Sequence, residues 1–197
     1  MHDKILFGYS LKSLKPDPDW TQERREKFLI NPNVELPKSA TTTVWENIPL
    51  GDISDQVFKS EMNADYFKYF EHFLDRDEMD EVYNELTNKD DVVKVCSAIY
   101  YLFHVPTFVW VYRLPVYHND DGFEFLGYDI VDSGKISGLS NCGYSKEDLE
   151  YCQKIYLPYL NEHGLFSNFY VAWDFVNYTN KRVCEYAPFL CLWFVYK

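Results

Sequence analysis

Cys142 has the neighbours that chemistry would ask for. It lies in Ser140-Asn141-Cys142-Gly143-Tyr144, between Gly138 and Gly143 and just before an expected helix start. A thiol at a helix N-terminus has a lowered pKa and becomes a nucleophile when a base is in reach. His118 or His163 would be that base, though neither is near in sequence. The plainer role is a small residue packing a tight loop, as most free cysteines do. Because the sequence positions no base, packing is the expected role.

The second group is the carboxylates Asp120, Asp121, Glu124, Asp129 and Asp132. As a pair, such as Asp129 and Asp132, they would serve as general acid and base. As a cluster, their oxygens would hold a divalent cation. The spacing of a calcium loop is absent, and strand alternation sets Glu124 on a different face from Asp129. Two other readings rank above catalysis and stand level. One is a polar strand face with a solvated turn, and the other is an electronegative patch for a cationic partner. His2, His72, His104, His118 and His163 are isolated from one another, and no C-x-x-C, H-E-x-x-H or phosphate-loop spacing occurs. The expectation is therefore no metal, no cofactor and no catalytic residue.

Charge points the same way. Of 197 residues, 31 are acidic and 19 are Lys or Arg, a net charge of −12. Residues 1–54 are close to neutral, with eight acids and seven bases. Residues 55–91 hold twelve acids and four bases, and residues 118–132 hold five acids and no base. Such a surface repels the phosphates of nucleic acid and speeds association with basic proteins. It also simply keeps a protein soluble.

These groups must be held by a core. The chain is 47% apolar and 19% aromatic, with seventeen Tyr, fifteen Phe and only eight Gly. That composition excludes a collagenous or disordered chain. The length fits one domain over 1–197, with an irregular connection over 31–52 that carries Pro32, Pro37, Pro49 and Gly51, and Trp45 as its anchor. No apolar run reaches the roughly 20 residues of a membrane span. The first twenty residues carry no signal-type apolar region, and the five cysteines, odd in number and loosely spaced, suggest no disulfide framework. A cytoplasmic protein is expected.

Periodicity predicts a short strand over 4–9 and a charged helix over 20–29 capped by Asp19. It predicts amphipathic helices over 63–74, 77–87 and 90–103, the last with Val92, Cys96, Ile99, Tyr100 and Phe103 in register. Strands are expected over 107–113 and 123–131, as an antiparallel hairpin around the turn 118–122. Gly127 marks a bulge or a close backbone approach. Residues 133–144 read as a compact loop or a short turn of helix. Ser145 and Asp148 form a capping box for a helix to about 161, shortened by Pro158 and stopped by Gly164. A helix fits 168–179, and the apolar run 187–197 is a buried strand with neighbours on both sides. The fold class is α+β: an antiparallel sheet, from the hairpin about 107–131 and the C-terminal strand, packed with several amphipathic helices.

Three segments carry a resemblance. FLGYDIVDSGKISGLSNCGYS (125–145), LNEHGLFSN (160–168) and NKRVCEYAPFLCLWFVYK (180–197) hold G-Y-D at 127–129, S-G-L-S-N-C-G-Y at 137–144, H-G-L-F at 163–166 and A-P-F at 187–189. In these the chain resembles immunity proteins of bacterial polymorphic toxin systems, contact-dependent growth inhibition among them. The resemblance implies an inhibitor of one cognate toxin C-terminal domain, a basic nuclease being the expected class. The complex would be 1:1, with no direct contact to nucleic acid or membrane. It supplies no interface residues. Charge clustering alone nominates Asp75, Asp77, Glu78, Asp80, Glu81, Tyr117, His118, Asp120, Asp121, Glu124, Asp129 and Asp132 as partner-binding. The alternatives are a small enzyme using Cys142 or the Asp129/Asp132 pair, and an adaptor protein of a mobile element.

Overall fold

An antiparallel sheet organises the protein. The structure is a computed structural model that describes residues 4–15, 17–35, 39–41, 47–48, 50–51, 53–100, 111–118, 122–132, 136–140, 143–182 and 191–197, without the side chains of residues 100 and 191–196. The strands are β1 (Lys4–Ser13), β2 (Val92–Tyr100), β3 (Phe125–Val131) and β4 (Cys191–Tyr196), in the order β1-β2-β4-β3. Helices α1 (Gln22–Phe28), α2 (Glu61–Phe70), α3 (Arg76–Glu85), α4 (Lys146–Tyr156) and α5 (Phe169–Arg182) surround it. The α+β class expected from the sequence is present, and the C-terminal strand lies between two neighbours as its continuous apolar run requires. Trp45, the expected anchor of 31–52, lies outside the described residues.

Two expectations are corrected. Residues 90–103 read as a helix, yet Val92–Tyr100 is the strand β2, paired with β1 on one side and β4 on the other. A central strand buried on both faces is apolar at nearly every position, so helical spacing is satisfied by accident. Val92, Val93, Val95 and Ile99 are β-branched, and long-range pairing decided the outcome. The second correction concerns the hairpin. β3 forms within the expected 123–131, but its sheet neighbour is β4. Of the expected partner 107–113, residues 107–110 lie outside the described residues. Val111 is helical and Arg113 has φ 52° in the left-handed region, so neither continues a strand.

Glycine permits two close approaches. The register of β1 shifts between Leu6 and Gly8, and that of β3 between Phe125 and Gly127, the bulge its glycine suggested. Gly8 has φ 152° and Gly127 φ 153°. A Cβ on Gly8 would lie 2.8 Å from the Phe73 carbonyl oxygen, and one on Gly127 2.7 Å from Leu165 Cβ. The chain segments beyond each edge strand press directly on its backbone at these points.

Those segments also satisfy the edges. Tyr9 and Phe73 exchange backbone hydrogen bonds of 2.8 and 2.7 Å, Leu6 N–H donates to Pro115 O, and Tyr117 N–H donates to Lys4 O. On the far edge Tyr128 and Phe166 exchange bonds of 2.8 and 3.1 Å, and Gly138 N–H donates to Ile130 O. An edge used this way cannot accept a partner's strand.

Register assigns those layers. Leu6 pairs with Ala98 and Tyr9 with Cys96, so these four share one face, where they pack with Met79 and Val82 of α3. Ile5 and Ile99 point to the other face and pack with Tyr66 and Phe70 of α2. The chain therefore crosses the β1 edge between α2 and α3, and the bridge at Phe73 fixes the crossing. Tyr128 pairs with Phe194, and Phe194 with Ala98, so Tyr128 shares the α3 face. It packs against both the α3 core and the α5 core.

Helix ends follow local chemistry. The α1 cap is Thr21, whose Oγ1 accepts from Arg24 N–H at 3.3 Å, rather than Asp19. At α4 the N-cap half of the expected capping box forms, and the Ser145 and Asp148 side chains bond each other. Ser145 Oγ accepts from Asp148 N–H at 3.1 Å and bonds Asp148 Oδ2 at 2.6 Å. Pro158 ends the α-helix at Tyr156 by turning Leu157–Tyr159 into a 3-10 turn. Asn168 caps α5, its Oδ1 accepting from Tyr170 N–H at 2.8 Å.

Candidate protein-binding surface

The acids nominated from the sequence fall into three groups. The first is exposed. Asp77 and Glu81 lie on the outer face of α3, His118 is exposed, and Glu124 stands exposed just before β3. Glu85 and Asp90, which charge clustering did not nominate individually, are exposed beside them. Asp77, Glu81 and Glu85 are spaced i, i+4, i+8 and form one stripe along α3.

The second group is exposed in part and already paired. Asp75 caps α3, its Oδ1 accepting from Asp77 N–H at 2.9 Å, and Lys59 Nζ lies 2.7 Å from the same carboxylate. Partial burial pushes the Asp75 carboxyl up, but the Lys59 ammonium and the Asp77 amide outweigh it and hold it below the usual carboxylate range. The hydrogen bond to Asp75 correspondingly raises Lys59 above its ordinary value. Asp80 takes Lys94 Nζ at 2.6 Å and Arg76 Nε at 3.8 Å. These two acids hold α3 to its surroundings.

The third group is inside, which corrects four nominations. Glu78 is 1% exposed. Its Oε1 accepts from Lys59 N–H at 2.6 Å and from Asn63 Nδ2 at 2.7 Å, tying the start of α2 to α3, while Oε2 is buried with no hydrogen-bond partner among the described residues. Tyr117 is buried beneath the Lys4 ammonium, 5.5 Å from its ring centre. Asp129 is fully buried and accepts from the Ser137 hydroxyl at 2.5 Å and from Ile130 N–H at 2.8 Å. Asp132 is buried too and accepts from Ile136 N–H at 2.8 Å. Buried carboxylates must be hydrogen-bonded, and these two supply the acceptors that hold turn 136–140 on the β3 edge. None of the four is offered to a partner.

Sequence patterning held the signal for two of these. Glu78 is four residues before Val82, on the α3 face that carries Met79 and Val82. Asp129 shares strand parity with buried Val131. Asp120, Asp121 and Cys142 lie outside the described residues.

The sequence reading also missed an aromatic surface. Phe125 is 40% exposed and Tyr170 80% exposed. Between them the rings make a chain: Phe125 to Tyr128 at 4.9 Å, Tyr128 to Phe169 at 6.0 Å, and Phe169 to Tyr170 at 5.5 Å. The signal available was Tyr170 at the second position of α5, off the Val171, Phe175 and Val176 core face.

Clefts open among the described residues. One of about 480 Å³ opens between α1 and α4, floored by Phe28, Tyr144 and Leu149 and rimmed by Lys27, Lys146 and Glu150. One of about 290 Å³ lies by Phe58, Phe67, Lys68 and Glu71. Neither includes Asp129 or Asp132. Among the described residues no three or more His, Cys, Asp or Glu side chains are arranged to hold a metal ion, and no helix is long and apolar enough to cross a membrane. Comparison with family models, curated proteins and solved structures gives no match to the chain.

Proposed function

We propose that the chain is a protein-binding inhibitor, an immunity protein of the cytoplasm that neutralises a cognate toxin domain by covering its basic active-site surface. The observation that carries the reading is the α3 stripe. Asp77, Glu81 and Glu85 place like charges one turn apart, and α3 has no base in its last turn. Each like-charge i,i+4 pair destabilises a helix by about 0.2–0.5 kcal/mol, and a carboxylate at the C-terminal end opposes the helix dipole. Among the described residues Glu81, Glu85 and Asp90 take no part in an ion pair, and only Asp77 has a distant one, to Lys59 at 3.5 Å. The free protein therefore carries a cost that a cationic partner removes on binding. A basic surface docked on α3 would gain Coulomb energy and relieve the repulsion together, and long-range attraction would speed the encounter.

The resemblance over 125–145, 160–168 and 180–197 supports the identity of the partner as a toxin domain, and the charge supports a basic one. The test is to capture the partner on tagged protein from source cells and weigh the complex by light scattering. The expected result is a stoichiometric 1:1 complex with a basic domain that is toxic when expressed alone. A non-toxic or acidic partner contradicts the proposal.

A further inference from the structure

We infer that the ridge Phe125–Tyr128–Phe169–Tyr170 is the anchor of the docking surface, and that its occupant is an arginine-bearing segment of a basic protein. The inference rests on the proposed function, since it extends the α3 surface, and it adds where the aromatic contact is made and with what chemistry.

Continuity is the first argument. Tyr128 faces the same side of the sheet as α3. At the start of α3, Arg76 stacks its guanidinium over Phe123 at 5.1 Å, and Phe123 contacts Tyr9 at 5.9 Å. Phe123 and Phe125 thus carry the surface from α3 to the ridge, while Glu124, whose backbone pairs with Lys197 one residue beyond Tyr196, turns to the opposite face. A partner covering the stripe on α3 meets Phe125 and then Tyr170 without leaving that side of the protein.

Charge complementarity is the second. The chain stacks its own cations on Trp20, Phe28, Tyr83, Tyr117, Phe123 and Tyr178, at 4.3 to 6.0 Å. Among the described residues Tyr170 is the most exposed large apolar side chain, and none of their cations lies over its ring. Asp174 lies one turn along α5 from Tyr170 and is exposed, with Oδ2 accepting from the Tyr156 hydroxyl at 2.9 Å. A guanidinium stacked on Tyr170 would have that carboxylate within reach, and stacking suits arginine better than lysine. The full charge of Asp174 exceeds the roughly half unit of positive charge at a helix N-terminus. A second copy of this chain would bring another net charge of −12 to the same surface, so self-association is disfavoured.

The test uses labelled nona-arginine and nona-lysine peptides, with anisotropy read at matched ionic strength on the full chain. The wild type should bind nona-arginine more tightly. Tyr170→Ala should weaken nona-arginine by about 3- to 10-fold, narrow the gap to nona-lysine, and leave the thermal midpoint unchanged, since the side chain is exposed. Tyr170→Phe should keep the preference. Glu81→Lys with Glu85→Lys should weaken both peptides alike. If Tyr170→Ala changes nothing while the α3 variant weakens both, the ridge is wrong and the acidic face stands. If only Tyr170→Ala acts, the α3 reading falls and the ridge stands. If a wild-type dimer is seen by light scattering and Tyr170→Ala dissolves it, the occupant is a second copy and the arginine assignment is overturned.

Discussion

Glu81→Lys should stabilise the free protein while weakening its complex. Glu81 is the middle of the α3 stripe, with Asp77 four residues before it and Glu85 four after, all exposed. The substitution removes two like-charge pairs and creates two opposite-charge pairs. At about 0.2–0.5 kcal/mol for each pair lost or gained, the gain is about 0.8–2 kcal/mol. The new pair with Asp77 has the favourable order, acid before base, and the new pair with Glu85 the weaker one, so the middle of that range is expected. For a chain of this size the thermal midpoint should rise by about 2–8 °C. Urea melts at low salt, repeated near 1 M salt, are the assay. The gain should shrink at high salt, where the Debye length falls to about 3 Å. The urea slope should not change, because no additional surface is exposed. A stability that is unchanged or lower at low salt would refute the claim that the stripe is an unrelieved cost.

Other consequences are open to direct measurement. Gly127→Ala should cost about 2–4 kcal/mol in a urea melt, because its Cβ would meet Leu165 Cβ at 2.7 Å and Phe166 O at 2.9 Å at a positive φ. A near-neutral result would mean that the turn 160–166 does not press on the bulge. Ser137→Ala and Asp129→Ala should each cost about 1–3 kcal/mol, and the double variant less than their sum, since the bond they share is lost in both single variants. Strict additivity would remove the Asp129–Ser137 bond as the staple of turn 136–140. Burial pushes Tyr66 well above the usual tyrosine range, and burial, Cys152 and Asp148 push Tyr178 up to about 12. Groups raised in the fold stabilise it fully below their unfolded value, about 10, and that contribution is lost as pH rises through the folded values. The urea midpoint should therefore fall steadily above about pH 10, and a flat profile to pH 12 would contradict the burial of these hydroxyls.

How far the sequence carries can be argued from single residues. α2, α3 and α5 were legible because one face of each is apolar and the rest polar, and the sheet needs such faces to cover it. Ser145 and Asp148 were legible because a capping box is local. Gly127 was legible as a bulge for the same reason. β2 was not, because a strand buried on both sides loses its alternation, and its pairing with β1 lies some ninety residues away. The proposed site was legible only in part. Charge runs picked out the acids of α3, but charge alone does not report burial, and Glu78, Asp129 and Asp132 were drawn into the fold by hydrogen bonds to Lys59, Ser137 and Ile136. The aromatic ridge was hidden because Phe125, Phe169 and Tyr170 become neighbours only when α5 docks on β3.

Growth protection is the measurement closest to the central claim. Cells expressing the captured basic domain should survive when the wild-type chain is co-expressed. They should lose that protection with Glu81→Lys and Glu85→Lys combined, a variant expected to be folded and at least as stable as wild type, because Asp77 then pairs with a base and the last turn carries one. Full protection by the folded double variant would contradict the account, because it would show that the α3 carboxylates are not what holds the partner.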